Sequence, residues 1–102
     1  MFIIQVTYTA PIVEIDRYLQ AHREFLDYYY KQGLLLASGP MVPREGGIII
    51  AVGNDRKKIE TLFKEDPYYL AGIAEYRFTE FTPVKHCDAL KTLILDTEGK
   101  LC

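Results

Sequence analysis

Between two runs rich in β-branched residues, the stretch from Ile12 to Tyr30 repeats its apolar side chains in alternating three- and four-residue steps. Ile12, Ile15, Leu19, Leu26 and Tyr29 thereby share one stripe of a helix, and such a stripe must be buried against another element. His22 fills the one step that lacks an apolar residue. Its imidazole is expected to point inward, where an unpaired polar group costs about 1–3 kcal/mol and a partner is needed. Two later segments offer one: Ala37-Ser38-Gly39-Pro40 and Glu65-Asp66-Pro67-Tyr68. An inward histidine, a carboxylate and a hydroxyl suffice for a small acid–base site.

The neighbouring runs say what the helix packs on. Phe2 to Tyr8 alternates in part at period two and predicts a strand ending at Ala10-Pro11. The helix is expected to extend to about Gln32 and to stop at Gly33, a residue that tolerates the left-handed turn. Leu34 to Ser38 and Ile48 to Val52 read as a hairpin, separated by a long loop from Gly39 to Gly47 with two prolines and three glycines. Asp55 is placed to cap a second helix through about Glu65, with Ile59, Leu62 and Phe63 on its inner face. Pro67 suits the first position of a further turn capped by Asp66. Tyr76 to Phe81 alternates again as the last strand. The order strand, helix, strand, strand, helix, strand is that of an α+β, ferredoxin-like βαββαβ fold, with both helices on one face of a four-stranded antiparallel sheet. The opposite face is expected to be bare and apolar, and a second copy of the chain is its simplest cover.

Length and composition limit the function. A chain of 102 residues, 49% of them hydrophobic, is sized for one core. Twelve basic against fourteen acidic residues give a net charge of -2, so nucleic acid is not an expected partner. Phe2-Ile3-Ile4 lacks a charged leader and breaks at Gln5 and Thr7, so neither a signal peptide nor a membrane span is expected, and the setting is cytoplasmic. Cys87 and Cys102 have no metal-ligand spacing and read as reduced, non-catalytic thiols. His22 and His86 are the only histidines, and neither a metal site nor a cofactor is expected.

Three segments in this order resemble the YCII-related proteins of the dimeric α/β-barrel group. They are Ala21-His22-Arg23, Ala37-Ser38-Gly39-Pro40, and Glu65-Asp66-Pro67-Tyr68 followed by Ala71-Gly72 and Ala74-Glu75-Tyr76. The resemblance covers a domain of residues 1–83 and leaves 84–102 as a divergent C-terminal tail, where Leu90, Leu93 and Ile94 can pack as a short helix or strand. It implies a ferredoxin-like dimer with a cleft beside a His–Asp pair, which falls on His22 and Asp66. The best-defined chemistry it implies is dehydrochlorination of a chlorinated hydroxyhydroquinone, although a shared fold does not fix the substrate.

A histidine titrates near neutral pH, at about 6.5, and can both take and return a proton. A paired carboxylate fixes its tautomer and favours the imidazolium. Ser38 is placed to bind a substrate oxygen, with Gly39 and Pro40 shaping the close backbone approach. A serine nucleophile is disfavoured, because the Gly-x-Ser-x-Gly setting is missing. The leading expectation is a cofactor-independent small-molecule enzyme in which His22 and Asp66 move a proton during elimination, of lyase or dehydrochlorinase type, or during isomerisation of an oxygenated or aromatic substrate. Two alternatives stand beside it: a non-catalytic small-molecule-binding module, and a structural dimer in which His22 is a core histidine and Asp66 only a helix cap. Tyr28, Tyr29 and Tyr30 read as helix packing and dimer contact, and Arg56-Lys57-Lys58 as a solvated face. Arg44, in the hairpin loop, is within reach of an anionic ligand.

Overall fold

A computed structural model describes residues 1–98. Its elements are β1 (Phe2–Tyr8), α1 (Ile12–Lys31), β2 (Leu35–Pro40), β3 (Gly46–Ala51), α2 (Arg56–Phe63), α3 (Pro67–Leu70), β4 (Ala74–Glu80) and α4 (Asp88–Glu98). The four strands form one sheet in the order β2-β3-β1-β4. Every neighbouring pair is antiparallel, with Phe2 opposite both Ala51 and Glu80. This is the ferredoxin-like α+β arrangement that the order of elements predicts.

Strand parity decides where the core lies. Phe2, Ile4 and Val6 of β1 share a face with Ile49 and Ala51 of β3, and bury against Ile15 and Leu26 of α1, Ile59 and Phe63 of α2, and Tyr68 of α3. The α1 stripe thus faces the sheet, and only its first member, Ile12, is loose at 40% exposure. The helix stops where Gly33 takes φ +75°. That left-handed turn sends the chain straight back into β2.

The hairpin is tighter than the sequence suggests. Strand pairing continues through Gly39 opposite Ile48 and Pro40 opposite Gly47, so the connection shrinks to Met41–Glu45, with a cis bond between Val42 and Pro43. Proline is tolerated in β2 because β2 is an edge strand. Met41 N–H donates inward to Gly46 O at 2.8 Å, so the donor missing at Pro40 lies on the outer side. Gly46 is needed for a different reason: a Cβ there would collide with the Val6 carbonyl oxygen of β1. The last strand also begins earlier than expected, at Ala74, and α2 ends at Phe63 rather than Glu65.

The second face of the sheet is neither wholly apolar nor bare. On β1 and β4 it carries Gln5, Thr7, Glu75, Arg77 and Thr79, and on β3 it carries Ile48 and Ile50. Ile94 of α4 is fully buried with Met1 and Val52, and Leu36, Ile50 and Leu90 pack against that cluster. Apolar spacing in the tail therefore forms a helix that covers one end of this face. Cys87 is a free, exposed thiol, and the expectation for Cys102 lies outside the described residues. Among the described residues no helix is long and apolar enough to cross a membrane.

We take residues 1–83 as the folding unit and the tail as an appendage. Ile94→Ala is then expected to cost about 2–4 kcal/mol, read by denaturant unfolding. A chain ending at His86 should unfold cooperatively at a lower melting temperature. Loss of the cooperative transition in that truncation would make α4 part of the folding unit.

Candidate active site

Asp66 lies in the short link between α2 and α3, and Pro67 at the next position opens α3. Its carboxylate accepts the Tyr68 backbone N–H at 3.0 Å, as an N-cap does. It also accepts the Tyr76 hydroxyl from β4 at 2.5 Å. The third donor is His22 Nδ1 of α1, at 2.9 and 3.0 Å from the two carboxylate oxygens. Because an ionised carboxylate only accepts, Nδ1 carries the proton in these bonds. Nε2 is the ring nitrogen left without a hydrogen-bond partner among the described residues. Asp66 is fully buried, while the His22 side chain keeps 12% of its surface exposed.

The imidazole is fixed by stacking as well as by hydrogen bonding. Its ring lies 4.0 Å from that of Tyr68 at an interplanar angle of 8°. His22 and Tyr68 are part of the wall of a cleft of about 420 Å³ between α1 and the β2–β3 half of the sheet. Ser38, Gly39 and Pro40 line the same cleft, so the structure brings together all five sequence-predicted site residues except that Asp66 stands behind His22 rather than in the wall. Arg23 and Arg44 complete its polar lining, with Val6, Leu19 and Ile49 among the apolar residues.

Two tyrosines were given no site role by the sequence, and a third was assigned to packing. Tyr76 anchors Asp66 and shares the inner parity of Phe78, which is a signal of burial but not of its partner. Tyr68 stacks on His22, although its position directly after Asp66-Pro67 placed it near the site. Tyr30 packs against the core as its place in α1 suggests, and in addition its hydroxyl lies 2.6 Å from Ser38 Oγ. The turn at Gly33 brings β2 back along the end of α1 and makes that contact possible.

Burial, the charge of Asp66 and the hydrogen bond to it all push the Tyr76 phenol far above its ordinary value. Burial, reinforced by Tyr8, pushes the Tyr68 phenol up to about 12, with Arg44 opposing. Both phenols therefore remain protonated donors at neutral pH. Arg44 is held by Asp16, at 2.7 Å, and its guanidinium carbon lies 5.7 Å from the centre of the Tyr8 ring. Among the described residues no group of three or more His, Cys, Asp or Glu side chains is arranged to hold a metal ion.

The order and spacing of these segments match a known family. The family model of the YCII-related domain matches residues 1–82. The chain belongs to the YCII-related family. No protein of curated function matches it. Among solved structures, this YCII-related chain is similar to a 5-chloro-2-hydroxyhydroquinone dehydrochlorinase from Burkholderia phenoliruptrix AC1100, in complex with 2,5-dihydroxybenzoquinone. The two are 19% identical, with a TM-score of 0.63, over 87% of this chain and 98% of the other. At that identity the likeness establishes the shared fold.

The raised phenols carry a stability consequence. A group whose pKa is higher in the folded state contributes stability that is complete below its unfolded value, about 10 for tyrosine, and lost as pH rises through the folded value. Thermal unfolding between pH 10 and 12 should accordingly show a falling alkaline limb. Tyr76→Phe and Tyr68→Phe should each flatten it, and an unchanged limb in both variants would remove this linkage.

Proposed function

We propose that the cleft is the active site of a cofactor-independent small-molecule enzyme, with His22 as general acid–base and Asp66 as its orienting partner. One observation carries this reading: a buried carboxylate holds Nδ1 of an imidazole set in a cleft wall, leaving Nε2 for a ligand. In an elimination, Nε2 takes a proton from a substrate hydroxyl. The substrate reacts as its keto tautomer, in which the carbon bearing the leaving group is sp3 and carries a hydrogen. The O–H electron pair becomes a C=O bond, the conjugated C=C shifts by one bond to that carbon, and the C–halogen bond breaks with halide leaving as the anion. Asp66 stabilises the imidazolium formed, which then gives its proton to water or back to the product. Isomerisation uses the same first step but returns the proton to another substrate atom. Ser38, oriented by Tyr30, binds a substrate oxygen, and Gly39 and Pro40 set how closely the substrate approaches β2. The dehydrochlorinase of like fold supports this reaction class as the first to assay.

Halogenated and hydroxylated hydroquinones, assayed for halide release and tautomerisation, are the substrates to try first. On an active one, His22→Gln and Asp66→Asn should each lower turnover by roughly 10²–10⁴. The double variant should be little worse than His22→Gln, because residues acting as a unit do not add. Full activity in folded His22→Gln would return the cleft to the binding or structural alternatives.

We also infer that the working form is a homodimer of the dimeric α/β-barrel type, joined through the second sheet face. Support comes from Ile3 and Ile48, apolar residues of that face that lie outside the cluster beneath α4. Sedimentation at micromolar concentration should give twice the chain mass. A stable folded monomer would contradict it.

A further inference from the structure

The Tyr68 hydroxyl is fully buried and makes no hydrogen bond. An orphan of this kind is rare, because a polar group denied both water and a partner is costly. Every other contact of Tyr68 is well made: the ring is 2% exposed, stacks on His22 and meets Tyr8 edge-on with ring centres 6.1 Å apart. Only the hydroxyl is left out, and the ring carrying it belongs to the cleft wall.

The charge of that wall has one sign. Arg23 and Arg44 both line the cleft and no carboxylate does, although the chain as a whole carries a net charge of -2. Arg23 makes no ion pair among the described residues. Arg44 is paired, but with Asp16, whose side chain is half exposed, and exposed pairs of this kind are worth little. It is the neighbour able to make way for a ligand or to turn toward one.

We propose that the cleft takes a small organic anion, a carboxylate or phenolate, whose charged oxygen accepts the Tyr68 hydroxyl while Arg44 and Arg23 supply the countercharge. This rests on the cleft being the substrate site proposed above, but not on any proton transfer there. The phenol stays protonated through the neutral range, so the donor is present whenever the anion is. Binding gives the orphan its partner, and the stack with His22 places the bound oxygen beside the imidazole.

Benzoate and its uncharged analogue benzamide are suitable probes, used with the full chain in calorimetric titration and thermal melting. Benzoate should bind saturably at millimolar concentration and raise the melting temperature, with benzamide much weaker. Tyr68→Phe should melt at the same or a higher temperature, because an unsatisfied hydroxyl has gone, yet bind benzoate about ten- to a hundredfold more weakly. A purely structural tyrosine gives the first change without the second. Arg44→Gln, at a partly buried position outside the core cluster, should weaken benzoate but leave benzamide unaffected. His22→Gln should keep benzoate binding even where turnover is lost, which separates this proposal from the catalytic one. No saturable benzoate binding to the wild type, equal affinity for benzamide, or unchanged benzoate affinity in either Tyr68→Phe or Arg44→Gln would overturn it.

Discussion

The buried carboxylate of Asp66 is the contact on which the arrangement turns. Removing a carboxylate from water costs several kcal/mol, recovered only if its oxygens are well supplied with donors. Here the donors come from three places in the chain: the Tyr68 amide at the start of α3, the Tyr76 hydroxyl on β4 and the His22 imidazole on α1. Meeting that need fixes where α1 lies relative to the sheet edge and α3. The same three bonds orient the imidazole, so the interaction that secures the fold at this point also sets the geometry of the cleft. A cap that only started a helix would require neither of the last two donors.

Much of this was legible before any coordinates. Element order followed from periodicity, because α1 has a clean helical stripe and β1 and β3 are rich in isoleucine and valine. His22 stood out as a polar residue in an apolar register, and the choice between its two possible partners came from family resemblance rather than from spacing. What remained hidden depends on distance in space. Nothing in the sequence says that Tyr76, ten positions beyond Asp66, turns its hydroxyl back to it, or that Tyr30 meets Ser38. Glycine and proline in 39–47 suggested a long loop because composition cannot distinguish a turn from a strand whose neighbour approaches too closely for side chains. Gly46, pressed against the Val6 carbonyl, is such a case. The second sheet face was misread as uniformly apolar because β1 and β4 contribute polar residues that alternation in β3 does not reveal, and because α4 folds over one end.

The cleft combines features that pull in different directions energetically. Its apolar residues, such as Val6, Leu19 and Ile49, favour a ligand with a hydrophobic body, while its charged residues are all cationic. Tyr68 lies where the two meet: its ring packs with the core and its hydroxyl has been desolvated without compensation. A cost of this kind at a functional site is one way in which stability is traded against activity.

Pro40 has a consequence beyond the shape of the hairpin. An edge strand presents a ladder of backbone donors and acceptors that any other extended chain can extend, and uncontrolled growth of this kind leads to aggregates. Proline removes one rung on the outward side of β2, the side turned away from Met41's bond to Gly46. A foreign strand approaching that edge finds a gap in the ladder beside the cleft mouth. A residue of the cleft wall thus also guards the border of the sheet against fibril-like addition.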